Sequence, residues 1–229
     1  TLLSSPHSHT HRKKTLRADS ADRQHAVQLV DAQNDYEAVN PAVRLLGALL
    51  PRPNDAKNPL DDIQWDAHKI RYLSITQMRE RVDDGLRERE WFVTGRSMPE
   101  LFADDFAFED PDVKLTGIEQ YSRQVHRLFD ESSRAEVVAV EVASAESLRV
   151  TWRLSGRVNV GLGLELKPYV VVTTLRVDRD GLIDYQKDVF SLPGYDILAS
   201  ALLPFLRPLL APAAPPVEVL RMEHVWLSG

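Results

Sequence analysis

Cysteine is absent from this 229-residue chain. A disulfide framework, a thiolate metal site and a cysteine nucleophile are therefore excluded, and nothing in the chain requires an oxidising compartment. A second absence is an unbroken apolar run of membrane-spanning length. The greasiest stretch, Leu198 to Leu210, is interrupted by Pro204, Arg207 and Pro208, whereas a spanning helix takes about 20 consecutive, mostly apolar residues. Acids are missing from the front: residues 1–18 hold Arg12, Lys13, Lys14 and Arg17 but neither Asp nor Glu. Subtracting those four positive charges from the net −6 leaves −10 on the remainder, which argues against nucleic-acid binding by the body of the protein.

What is present suits a globular domain with extensions. A hydrophobic content of 43% is enough for a sizeable core. Residues 1–18, rich in Ser, Thr, His and basic side chains, have the composition of a transit peptide or its remnant, the alternative being a disordered basic tail. A plastid is the expected location, with the mitochondrion as alternative. His7, His9 and His11 alternate without a second shell and are read as incidental. Residues 19–60 form an arm and linker, in which Val43, Leu46, Gly47 and Leu50 share one helical face and Pro51 to Asp55 mark a break.

Asp61-Asp62 suit a helix N-terminus, and a helical pattern runs through Ile63, Ala67 and Ile70 to Met78, Val82 and Leu86. Ser97-Met98-Pro99-Glu100 opens a short helix. Thr116 to Asp130 is an amphipathic helix with Ile118, Tyr121, Val125, Leu128 and Phe129 on one stripe, and His126 at its edge is read as structural, the alternative being that it faces the cavity. Four strands follow, Arg134–Ala143, Leu148–Val160, Pro168–Val177 and Leu182–Phe190, the last two joined by the hairpin turn Asp178-Arg179-Asp180-Gly181. Helices followed by an antiparallel meander are an α+β pattern. The segment 193–229 is apolar and Pro-rich, and either caps the open end of the sheet or offers an apolar contact surface.

The most specific wording lies in Leu101-Phe102-Ala103-Asp104-Asp105, followed by an apolar strand and Glu109-Asp110-Pro111. An aspartate at the rim of such a strand can shuttle a proton or can simply end the strand, since Asp before Pro favours a turn. From about Ile75 to Leu192 the chain resembles the nuclear transport factor 2-like superfamily, which includes ketosteroid isomerases, limonene-epoxide hydrolase and SnoaL-type cyclases. Within it the chain looks most like a plant and algal group, some of whose members are fused to haem-binding domains of the SOUL type. The resemblance implies a cone-shaped, curved antiparallel sheet packed on helices across residues 61–192, here with N- and C-terminal extensions.

In isomerase-like members the aspartate of the Glu-Asp-Pro motif is the base, which corresponds to Asp110. The family's two oxyanion donors fall near Val82 and Thr173, so both look missing, with Tyr121, Tyr169 and Tyr185 as candidate substitutes. In hydrolase-like members an Arg-x-Asp pair and a later Asp orient water. Here those aspartates match Ser155 and Ser191, and only Arg153 remains, so that chemistry looks lost. Asp110, Asp188 and Arg153 would surround one pocket mouth as a ligand-orienting cluster or a salt-bridge network. The pocket implied by the fold would be lined by Phe106, Phe108, Val150 and Trp152, together with Tyr121, Tyr169 and Tyr185. No metal site and no cofactor are called for: His-carboxylate spacing is lacking, and no axial-ligand motif for haem is visible.

Incomplete catalytic sets and two apolar extensions favour a non-catalytic binding or assembly module of an organelle. It would dock to a protein partner or to a second copy of itself, with peripheral membrane contact as a further use of the apolar surface. The rival is an enzyme or carrier for a small hydrophobic molecule with Asp110 as base. A pKa of Asp110 raised to about 6 or above would favour that rival.

Overall fold

Alternating burial along consecutive strands sets the architecture, in a computed structural model that describes residues 37–38, 60–160 and 163–228. All of these belong to one unit spanning residues 37–229. The basic segment 1–18, its histidines and the helical face at Val43 to Leu50 lie outside the described residues. The elements are β1 (Glu37–Ala38), α1 (Ile75–Arg89), α2 (Trp91–Thr94), a 3-10 turn (Pro99–Leu101), β2 (Phe102–Glu109), β3 (Val113–Thr116), α3 (Ile118–Leu128), β4 (Arg134–Ser144), β5 (Ser147–Val158), β6 (Leu164–Val177) and β7 (Ile183–Phe190). They continue as α4 (Gly194–Leu202), a second 3-10 turn (Pro204–Leu209) and α5 (Val217–Ser228). The result is α+β, with one curved sheet in the order β1-β3-β2-β7-β6-β5-β4 that does not close on itself.

The long helix begins later than the apolar pattern suggests. Residues 63–73 are turns and extended chain, because Tyr72 takes a left-handed φ of 61° and Ser74 then forms a capping box with Gln77. Asp61 and Asp62 pair with Arg123 and Arg96 instead of capping a helix. From Ile75 onward the pattern holds: Met78, Val82 and Leu86 are fully buried. Gly85 leaves room for the neighbouring side chains, since a Cβ there would stand 2.5 Å from Met98 Sδ and 2.7 Å from the Trp91 ring. The helix packs on β4 and β5, while α3 packs on β2 and β3.

One pairing departs from the antiparallel expectation. β2 and β7 run parallel, with Phe108 opposite Gln186 and Glu109 opposite Lys187. The 73 residues between the two strands, from Asp110 to Leu182, include α3 and the β4-β5-β6 meander, so this is a crossover connection that no short turn could make. β2 also forms a hairpin with the short β3, which in turn carries β1 on its outer edge.

The C-terminal extension is tied to the sheet at several places, among them Arg207 against Glu165 and His224 against Glu141. Lys167 Nζ forms a buried ion pair with Asp196 and donates to the Ala211 carbonyl at 2.6 Å. The Ala214 N–H donates to the Pro168 carbonyl, and Arg221 clasps the Val137 carbonyl with two nitrogens at 3.0 and 2.6 Å. Among the described residues no helix is long and apolar enough to cross a membrane.

Candidate functional site

The parallel register brings two distant carboxylates side by side. Glu109 is opposite Lys187, so the next step along both chains sets Asp110 beside Asp188, on strands spaced about 4.8 Å apart. Alternation puts both on the face that carries Phe106, Phe108 and Gln186, all buried. The row continues across the sheet, since Thr173 is opposite Asp188 and Val150 is opposite Thr173.

Asp110 serves the turn and the interior together. Its Oδ1 accepts the N–H groups of Asp112 at 2.8 Å and Val113 at 2.6 Å, closing the β2-β3 hairpin. Its Oδ2 accepts no hydrogen bond among the described residues. Burial pushes its pKa up to about 6; the two N–H bonds pull the other way, and the negative charges of Asp112 and Glu109 add to the rise.

Asp188 sits at the centre of a directed network. The Trp152 indole N–H, which can only donate, bonds Thr173 Oγ1 at 2.9 Å, and the Thr173 hydroxyl donates to Asp188 Oδ1 at 2.7 Å. Gln186 Nε2 donates to the same Oδ1 and to the Tyr121 hydroxyl oxygen, each at 3.2 Å. Burial pushes Asp188 up to about 7; the Thr173 and Gln186 bonds oppose this, and the charge of Asp110 reinforces it. Because Oδ1 already receives two donors, the proton of the neutral acid belongs on Oδ2. Tyr121 is raised well above 10 by burial and by the charge of Asp188, so it stays a hydroxyl donor. Tyr169 is likewise raised by burial and then by the charges of Asp110 and Asp188.

One atom of this network is left over. Gln186 is fully buried, and among the described residues its Oε1 has no partner in this amide orientation; turned, the oxygen would accept from the Tyr121 hydroxyl instead.

The expected pocket residues divide between two faces. Phe106 and Phe108 pack their rings on Tyr121 at centroid distances of 6.0 and 4.9 Å. Val150 and Trp152 are buried on the same inner face, with Trp152 against Phe92, and buried Tyr169 packs on Phe190. Tyr185 and Arg153 lie on the outer face. The Tyr185 hydroxyl donates to Glu109 at 2.9 Å with Arg176 over its ring, and Arg153 pairs with Glu136. Arg153 thus forms an ion pair with neither Asp110 nor Asp188. Val82 and Thr173 occupy the places at which the superfamily's donors were sought, and the groups able to donate are instead Tyr121 and Asp188. Sequence alone does not single out Gln186, and it marks Thr173 only as the place of a missing aspartate. Their signal was a run of polar residues at alternate positions of a strand that had to be buried. His126 Nδ1–H donates to the Thr94 carbonyl at 3.1 Å, a structural contact.

Two other places were candidates for chemistry. Among the described residues no three His, Asp or Glu side chains cluster as a metal site requires. A surface cleft of about 660 Å³ runs past Asp62, Gln64, Glu88, Arg89 and Arg96, but Arg96 is already paired with Asp62 there.

A family profile described as the SnoaL-like domain matches residues 82–186. Solved structures similar to this chain include a protein with a ketosteroid isomerase-like fold from Catenulispora acidiphila, bound to trimethylamine, at 18% identity and a TM-score of 0.41 over 54% of this chain and 93% of that one. A phenazine biosynthesis-related protein from Pseudomonas aeruginosa is similar at 12% identity and a TM-score of 0.42, covering 62% and 92%. An epoxide hydrolase resembling limonene-epoxide hydrolase, from Mycobacterium tuberculosis, is similar at 16% identity and a TM-score of 0.39, covering 58% and 96%. No curated protein matches the chain.

Proposed function

With residues 82–186 forming a SnoaL-like domain of the nuclear transport factor 2-like superfamily, we propose that this chain moves a proton beside the carbonyl of a small, largely apolar molecule. The observation that carries the reading is the adjacent pair Asp110 and Asp188, raised to about 6 and about 7 on one inner face. A pair of acids whose environments separate their pKa values suits a base and a donor. Near neutral pH Asp110 is ionised and its Oδ2 takes the proton from the carbon next to the carbonyl. The C–H electron pair moves into the new C=C bond, and the carbonyl π pair settles on oxygen. That oxygen receives hydrogen bonds from Asp188 Oδ2–H and Tyr121 O–H, in a site of low dielectric where such bonds count most. Return of the proton from Asp110, to the same carbon or to a conjugated one, regenerates the base.

The test uses an enolisable probe, 2-indanone, in deuterium oxide, followed by proton NMR. The protein should accelerate exchange of the methylene protons, and Asp110→Asn should lower that acceleration by roughly 10²–10⁴-fold. Exchange no faster than in buffer, or undiminished in the variant, would remove Asp110 as the base.

A second reading has its own observation. Tyr195, Phe205 and Leu209 on the C-terminal extension are 75%, 73% and 82% exposed, an apolar surface of the kind used for docking. An assembly role in a plastid, to which residues 1–18 would direct the chain, is compatible with catalysis in the sheet and rests on that surface.

A further inference from the structure

Asp188 and Thr173 are buried, and Tyr169, near the end of the same face, is 6% exposed. A molecule therefore reaches the inner face only when part of the fold moves. The strands do not supply that motion cheaply, since β5, β6 and β7 pair along their lengths. Nor do α1 and α3, which are anchored by buried apolar side chains that include Met78, Val82, Ile118 and Val125. What remains at the rim is the extension 193–214.

Its placement is that of a cover. β7 ends at Phe190, opposite Val171, and the Ser191 N–H makes a last bond to the Val170 carbonyl. Nearer its start the edge of β6 has no strand beside it, and the extension takes that place. The Ala214 N–H donates to the Pro168 carbonyl, Lys167 pairs with Asp196, and Arg207 pairs with Glu165. At its front the extension abuts the β2-β3 turn, where a Cβ on Gly194 would lie 3.7 Å from Asp112 Oδ2. It thus bridges the turn that carries Asp110 and the first residues of β6. A surface helix normally buries an apolar stripe, but the buried side chains of α4 are polar, Asp196 and Ser200, while Tyr195, Leu202, Phe205 and Leu209 are exposed. Little apolar area resists its release, and one buried ion pair holds it.

We propose that residues 193–214 are a lid over the inner face, latched by Lys167 and Asp196, whose local opening admits the substrate. This rests on the proton-transfer reading for what enters, and adds how access to the site is controlled.

The absence of cysteine makes the test direct, because one introduced thiol is the only one in the full chain. Val171→Cys places it on the buried inner face opposite Phe190, and Leu175→Cys on the same face farther from the rim, opposite Gln186. Each is labelled with dithiobis(nitrobenzoic acid) at several low urea concentrations. The Val171→Cys thiol should react roughly tenfold or more faster, at a rate nearly independent of urea, whereas Leu175→Cys should follow global unfolding with its full urea slope. Adding Lys167→Met should quicken the Val171→Cys reaction about a hundredfold and leave it independent of urea. A Val171→Cys thiol that reacts only as fast as that of Leu175→Cys, with the same urea slope, overturns the inference, as does a rate that Lys167→Met does not change. The urea comparison decides the matter even if the double variant does not fold. Exchange of 2-indanone separates this inference from the one beneath it. Local opening without catalysed exchange overturns only the proton transfer, and catalysed exchange with labelling tied to global unfolding overturns only the lid.

Discussion

Asp188 is the residue whose protonation has most consequence. Its carboxyl holds a proton up to about pH 7 in the fold, whereas in the unfolded chain it releases it near 4. The native state therefore binds more protons through that window, and stability falls as pH rises across it and stays reduced above it. Asp188→Asn keeps an acceptor for Thr173 and Gln186 and a donor in place of Oδ2–H, but carries no charge to bury. It should be more stable than the unmodified protein at pH 8, by up to about 4 kcal/mol, and nearly equal to it at pH 4. Urea denaturation at the two pH values measures this, and a variant less stable at pH 8 would contradict the burial of a charge there.

The same pair sets the pH profile of exchange. The base must be ionised, which happens above about pH 6, and the donor protonated, which holds below about pH 7. The two titrate as a coupled pair, so the profile should be a narrow bell between those limits. In Asp188→Asn the alkaline limb should vanish, because the amide goes on donating. A limb that persists in the variant would assign it to another group.

Asp110 could be read from the sequence because Glu-Asp-Pro is local: three consecutive residues fix a turn and point the carboxylate. Asp188 could be named but not assigned a role, since its partners Thr173 and Gln186 become neighbours only through strand pairing. β7 also misleads on polarity. Ile183, Tyr185 and Val189 suggest that the odd positions face inward, yet Val189 is 53% exposed while Gln186 and Asp188 are buried. The buried face of β7 is the polar one there, so hydrophobic alternation assigns Tyr185 to the wrong side.

At the scale of elements, the bend of β5 has an identifiable cause. Its register with β6 shifts between Leu154 and Gly156, where Gly156 takes φ 128°. The Ser133 backbone crosses so closely that a Cβ on Gly156 would lie 2.3 Å from Ser133 Cα, while the Ser133 hydroxyl bonds both the N–H and the carbonyl of Arg157. Gly156→Ala should cost roughly 2–4 kcal/mol. A lower urea midpoint with unchanged slope is the expected readout, and a wild-type midpoint would mean that the strand straightens without penalty. The strands and α3 were legible because each repeats one period over many residues. β3 and α2, four residues each, were not, since so short a stretch carries no periodicity and is held by its neighbours.

For the molecule as a whole, the extension beyond β7 is held by little apolar burial but by one buried ion pair. Burial pushes Asp196 up, yet the bonds from Lys167 and the Ala211 N–H outweigh it and keep its pKa below the usual carboxylate value. Lys167→Met leaves that carboxylate buried without its partner. Breaking such a pair costs roughly 3–5 kcal/mol when global, and here local opening of residues 194–214 is the cheaper response. Amide exchange in that stretch should quicken about a hundredfold or more while β5 stays protected. Unchanged protection would show that the Arg221 clasp suffices.

The parallel seam between β2 and β7 also fixes when the site comes into being. β2 leaves the ribosome 73 residues before its sheet partner begins, and until then it can pair only with the short β3, with Phe102 and Phe106 unshielded. Asp110 and Asp188 are thus among the last groups to meet, and a nascent chain that stops short of Asp188 holds the Glu-Asp-Pro turn without the carboxylate that stands beside it. The stretch between synthesis of Phe102 and closure of the seam is when this protein is most exposed to aggregation and in most need of a chaperone.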